Sequence, residues 1–258
     1  VPPARVVTTT CSNTEIVHAL GCGDRLVGVD EHSDWPPGLV ERLPRVGPDL
    51  GVDPEKVKAL EPDLVIASLT VPGHEKVVES LVRAGLEVIA PEPRSLADVP
   101  RDIRDLAAAL GVPERGEEVA AELERALAPF PAPDPRPTLL VEWWPKPVIV
   151  PGRLSWATDL IELAGGRNPL ADEPVKSRPL ENAEVAALDP DAFVISWCGI
   201  DPSKYRPDVV LARPGCEDTR AVRAGHVFTV PEGHLGRPGP RLAKGLSDLR
   251  RVVEAVAA

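Results

Sequence analysis

Apolar residues fall into short dense runs separated by longer stretches in which they recur every three or four positions. Arg5–Thr9, Leu26–Val29, Leu64–Ala67 and Glu87–Ala90 in the first half, and Thr138–Glu142, Ala192–Ser196 and Val227–Val230 in the second, predict strands. The intervening stretches predict helices, the first over Asn13–Leu20 behind the polar start Thr10-Cys11-Ser12. Strand and helix alternate throughout, which favours largely parallel sheets with helices on both faces, an α/β fold.

The pattern then repeats. Ala59-Leu-Glu-Pro-Asp-Leu-Val-Ile-Ala-Ser68 returns as Ala187-Leu-Asp-Pro-Asp-Ala-Phe-Val-Ile-Ser196, and Ala84-Gly-Leu-Glu-Val-Ile-Ala-Pro-Glu92 as Ala224-Gly-His-Val-Phe-Thr-Val-Pro-Glu232. Thr14-Glu-Ile-Val-His-Ala-Leu-Gly21 has a looser echo in Thr158-Asp-Leu-Ile-Glu-Leu-Ala-Gly165. The order is the same in both halves, so two lobes of one design are expected. Between them, Pro113–Pro129 carries Val119, Leu123 and Leu127 on one stripe and Glu118, Glu122 and Arg125 on a polar side. That is one helix of about 25 Å at 1.5 Å per residue. The expected division is residues 1–112, a connecting helix 113–130, and residues 131–258, with a cleft between the lobes at the strand carboxyl ends.

Aromatic placement sharpens this. Of the few aromatics (five Trp, three Phe, one Tyr), Trp35, Trp143, Trp144 and Trp197 fall in strand-end loops, while Trp156 at a helix start reads as structural. Indole faces gathered in this way suit a large, flat, partly apolar ligand. A net charge of −11 argues against nucleic acid. No apolar run reaches the roughly 18 residues of a membrane span. Without Met, the first residue is not an initiator, so processing or trimming is expected to have removed the true start, and any signal peptide with it. Cys11, Cys22, Cys198 and Cys216 show no metal-ligand spacing. A helix separates the first two, while a Cys198–Cys216 bridge and buried free thiols both remain open for the others. His18, His32, His74, His226 and His234 are scattered, with no zinc pattern, so neither a metal nor a catalytic cofactor is expected. Cys11 at a helix start is the best nucleophile, yet no base accompanies it, and no enzymatic activity is expected.

Ser12-Asn13-Thr14-Glu15, Leu26-Val-Gly-Val29, Ser33-Asp-Trp-Pro-Pro37, Glu55 with Ala59-Leu-Glu-Pro-Asp-Leu-Val-Ile66, Ala221-Val-Arg-Ala-Gly225 and Arg237-Pro-Gly-Pro-Arg241 together resemble the substrate-binding proteins of ABC importers for cobalamin, haem and ferric siderophores. The resemblance spans essentially the whole chain. It implies a two-lobed, helical-backbone binding protein, extracytoplasmic and monomeric, that captures a macrocycle and docks on a membrane permease with its ATPase subunits. The Ser-Asp-aromatic-Pro-Pro loop is most similar to cobalamin binders, which implies ligand contacts at Trp35, Trp143 with Trp144 beside it, and Arg237. Asp49, Ser68 and Ser177 stand where further cleft aromatics are expected, and Gly233-His234 beside Glu232 where an acidic residue is. Ala164 stands at a position of the family's disulfide. Ser12, Trp197 and His234 complete the expected ligand set. The resemblance also implies one docking carboxylate per lobe: Glu55 in the first, and in the second Glu184, with Glu181 the alternative because Ala183 occupies the matching position. Haem or a siderophore is the second reading, the latter kept by Arg237, Lys176 and Arg178. A third is an enzyme acting on a corrinoid or metal complex through Cys11 or His234.

Overall fold

The structure is a computed structural model that describes residues 1–258. Its chain divides into two units, residues 1–93 with 97–124 and residues 94–96 with 125–258.

In the first unit β1 (Val6–Thr8), α1 (Cys11–Ala19), β2 (Leu26–Gly28), α2 (Pro37–Val40), α3 (Pro54–Ala59), β3 (Leu64–Ile66), α4 (His74–Arg83), β4 (Val88–Ile89), α5 (Asp98–Ala109) and α6 (Pro113–Ala126) follow one another. The sheet order is β2-β1-β3-β4, parallel throughout, with Val6 opposite both Leu26 and Leu64. The central strands are apolar on both faces because both faces are covered: Val6, Val7, Val65 and Ile66 are fully buried. The first two strand-to-helix crossovers bring α1 and α3 back over the sheet and leave the strand carboxyl ends to loops. α6 is the expected connecting helix, but it stops at Ala126, and its residues through Glu124 belong to the first unit.

In the second unit come β5 (Leu139–Glu142), β6 (Trp144–Pro145), β7 (Val148–Pro151), α7 (Trp156–Leu163), β8 (Ser177–Leu180), α8 (Asn182–Leu188), β9 (Ala192–Ile195), α9 (Pro207–Leu211), α10 (Arg220–Ala224), β10 (Val227–Thr229), α11 (Glu232–Leu235) and α12 (Leu242–Ala257). Parallel strands β5-β9-β10 correspond to β1-β3-β4 of the first unit. The repeat extends to the caps: Asp53 caps α3, and Glu181 stands at the N-cap of α8 in the register that relates Ala59 to Ala187. The second unit also departs from the expected parallel architecture. β6-β7-β8 form an antiparallel sheet where the sequence pattern predicts no strand. Pro145, Pro147, Pro151 and Pro179 disguise these strands. Pro145 and Pro179 sit on the two edge strands, where a missing N–H costs the ladder little. No helix is long and apolar enough to cross a membrane.

Candidate functional site

At the carboxyl ends of β1, β2 and β3 the first unit buries polar side chains. Thr8, Thr14, Asp30 and Ser33 are each 2% exposed or less. The Thr14 hydroxyl lies 2.6 Å from that of Thr8 and 2.8 Å from that of Ser33. The Asp30 carboxylate accepts from the Ser33 hydroxyl, the His32 N–H (2.9 Å) and the Cys11 thiol (3.6 Å). Burial pushes the Asp30 carboxyl up, and these donors hold it partly back. Arg45 donates to the carbonyls of Asp30 and Ser33, both at 2.8 Å. The loop after β2 is thus clamped at its base, while His32 and Trp35 stay exposed, Trp35 at 41%.

The neighbouring loops are tied as firmly. Asn13 donates its amide to the Ala67 carbonyl (2.6 Å) and to Thr10 (3.0 Å), joining the start of α1 to the end of β3. Ser12 and Ser68 are buried, the latter accepting from the Thr70 N–H. Asp49 meets the buried His74 imidazole at 3.5 Å, and this partner holds its carboxyl below the usual range. Among the residues expected to touch ligand in this unit, Trp35 is the one presented openly. Cys11 aims its S–H at the Asp30 carboxylate.

In the second unit the end of β5 is pinned by a buried pair: both guanidinium Nη atoms of Arg213 donate to the fully buried Glu142 carboxylate. Trp143 follows, half-buried and stacked on Trp156 (centroids 5.9 Å apart, 27° between planes). Trp156 is structural as expected, buried and donating to the Leu235 carbonyl at 2.9 Å. Trp144 is 40% exposed. Trp197, also expected to touch ligand, is 4% exposed and packs in the core, edge-on to Tyr205. The Tyr205 hydroxyl donates to the Trp197 carbonyl (3.2 Å) and accepts from the Glu232 N–H (3.1 Å). Burial raises its pKa. Glu232 and Arg237 pair with each other at 2.7 Å, and His234 is held by Asp248 at 2.8 Å. The buried indole N–H groups of Trp143 and Trp197 have no protein acceptor. Arg213 and Tyr205 escaped the sequence reading. Arg213 works through a partner 71 residues away and Tyr205 ties Trp197 to Glu232, 27 residues beyond it, and no local pattern marks such links.

The two expected docking carboxylates differ. Glu55 is exposed on the first turn of α3, whose start Asp53 caps through the Glu55 and Lys56 N–H groups. Glu184 is committed: one oxygen accepts from the Glu181 N–H and the other from Arg178, both at 2.9 Å, and together they hold its carboxyl low. Glu181 is exposed and borders a hollow lined by Pro145, Val148, Leu180 and Val209. No group of three or more His, Cys, Asp or Glu is placed to hold a metal ion. All four cysteines are thiols, Cys198 exposed and Cys216 buried, so the bridge left open for that pair is not formed.

A family model described as periplasmic binding protein matches residues 6–233. An uncharacterized ABC transporter substrate-binding lipoprotein, YvrC of Bacillus subtilis, is 27% identical over 96% of this chain and 79% of its own length. A vitamin B12-binding protein of Pectobacterium carotovorum is 25% identical over 93% of this chain and 84% of its own. Among solved structures, the periplasmic heme-binding protein RhuT of Roseiflexus sp. RS-1, in apo form, superimposes with a TM-score of 0.82 and 29% identity, covering 98% of this chain and 99% of that one.

Proposed function

Because the chain belongs to the periplasmic binding protein family, we propose that it captures a corrinoid, cobalamin first, outside the cytoplasm and delivers it to an ABC importer without turnover of its own. The strand-end loops of each unit supply the contacts: Trp35, Asp49, Ser12 and Ser68 from the first, and Trp143, Trp144, Glu232, His234 and Arg237 from the second. One observation carries the reading. Trp35 stands 41% exposed on a loop whose base is locked by buried Asp30 and by Arg45. A large aromatic held out on a rigid support has already met the ordering cost of binding, and its face suits a macrocycle. The vitamin B12-binding name of the Pectobacterium relative supports the ligand, and the Bacillus relative supports the importer.

The test is calorimetric. Burying an indole face contributes on the order of 1–3 kcal/mol, so Trp35→Ala is expected to weaken cobalamin about tenfold or more while leaving the melting temperature nearly unchanged. Equal affinity for both proteins would overturn the reading. Haem is the second reading, supported by the likeness to the Roseiflexus protein. The visible spectra of the purified protein with cobalamin and with haemin separate the two.

A further inference from the structure

We propose that the hollow beside Glu181 is a socket for an extracytoplasmic loop of the permease, one that carries a cationic side chain next to an apolar one. The proposal rests on the reading of the chain as an importer's binding protein. The hollow measures about 550 Å³, within the range of roughly 300–1,000 Å³ typical of binding sites.

It arises where the second unit departs from the internal repeat. β1 leads straight into α1, whereas β5 is followed by the β6–β7 hairpin before α7. α4 is the one helix between β3 and β4, whereas α9 and α10 both lie between β9 and β10. The added hairpin and the region of α9 line the hollow, together with the end of β8 and the start of α8. Glu55 and Glu181 stand at the starts of the matching helices α3 and α8, yet Glu181 has these two added elements beside it and Glu55 has no equivalent of them.

The lining decides what fits. Val148 and Leu180, cross-strand partners on β7 and β8, are buried, Val209 is half-buried, and Leu211 at the end of α9 is 42% exposed. Of the charged residues at the hollow, Arg213 is spent on Glu142, and Asp208 pairs with Arg206 at 2.6 Å. Glu181 and Lys146 are exposed. A small anion would be repelled by Glu181, and a small cation would leave the apolar bed uncovered. A protein loop answers every feature. Its basic side chain pairs with Glu181, its apolar neighbour covers Val148, Leu180 and Val209, and a main-chain carbonyl accepts from the Lys146 ammonium. The consequence is polarity. Two lobes of one design with one carboxylate each would look alike to a partner, and the socket makes the second contact unlike the first.

Ala212→Trp fills the hollow from an exposed position and leaves Glu181 in place. With the permease and its ATPase subunits in liposomes, the concentration of this variant giving half-maximal ATPase stimulation is expected to rise about tenfold or more, the scale of a lost interface anchor. Cobalamin affinity and melting temperature stay unchanged. The effect should be less than additive with that of Glu181→Ala and additive with that of Glu55→Ala. A benzophenone carried on Ala212→Cys, in a Cys198→Ser background, is expected to cross-link to the permease. One carried on Val82→Cys, exposed at the end of α4 away from the strand-end loops, is not. If Ala212→Trp stimulates as the wild type does and position 212 cross-links no better than 82, the socket is overturned while the docking reading stands. A loss of cobalamin affinity with stimulation unchanged gives the hollow to a small ligand, and wild-type dimers that Ala212→Trp abolishes give it to a second copy. Either result overturns the proposal. A wild type that stimulates no ATPase removes the docking reading along with it.

Discussion

A carboxylate taken out of water without a full set of donors holds its proton longer, and Asp102 on α5 is in that position. Its side chain is 13% exposed, and one oxygen is buried without a partner. Burial pushes its pKa from 3.8 to about 6, outweighing the pull of Arg101. The folded protein therefore binds more protons than the unfolded chain between pH 3.8 and about 6. Stability from this group is full below pH 3.8, falls as pH rises, and has been lost above about 6. Asp102→Asn is expected to stabilise the protein at pH 7 by roughly 1–3 kcal/mol, with the advantage shrinking at pH 5. Urea midpoints at the two pH values check this, and equal midpoints at pH 7 would refute it. The Glu142–Arg213 pair is the opposite case, a buried charge fully matched. Arg213→Ala leaves Glu142 stranded and should cost about 3–5 kcal/mol, whereas Glu142→Leu with Arg213→Met should come close to neutral. Thermal unfolding of the three proteins tests it: a single variant no worse than the double one would mean the pair is not the cause.

At the scale of elements, the close approach of α6 to α5 depends on one residue. A Cβ at Gly116 would sit 2.3 Å from that of Ala107. Helix propensity alone favours Ala over Gly by about 1 kcal/mol, and at a first-turn position the sequence pattern suggests a cheap glycine. Packing decides otherwise. Gly116→Ala should destabilise by about 1–3 kcal/mol through overpacking, and Ala107→Gly in the same chain should restore part of the loss. Additive effects of the two changes would disprove the contact. Arg104 also joins these helices, reaching Glu117 and Glu124 at 2.7 and 2.8 Å, but both carboxylates are exposed, and such pairs contribute little.

For the whole molecule, the proposed docking on a permease would call on carboxylates of both units. Two carboxylates on one chain reinforce each other through effective concentration, and a net charge of −11 speeds encounter with a cationic surface in a salt-sensitive way. Since Glu184 is occupied by Arg178 and the α8 cap, the exposed Glu181 is the better second partner for Glu55. Glu55→Ala with Glu181→Ala should leave ligand affinity intact and abolish stimulation of the permease's ATPase in liposomes. Glu184→Ala should lower the melting temperature slightly through the lost capping box and leave stimulation in place. Full stimulation by the Glu55, Glu181 double variant would remove these carboxylates from docking.

Strand runs such as Val6–Thr8 and Ala192–Ile195, the α/β alternation and the internal repeat were legible along the chain, because burial of one element leaves its period in neighbouring residues. The placement of Trp35 in the loop after β2 was legible too, because the strand before it and the two prolines after it lie within a few positions. The antiparallel sheet of β6, β7 and β8 was not, as its prolines read as loop until edge positions are known. Nor could the sequence separate Trp197, sunk in the core, from Trp144, left in solvent, or foresee that Arg178 would claim Glu184. Those outcomes depend on which surfaces meet across distant segments, and contacts made only after folding leave no period in the chain that makes them.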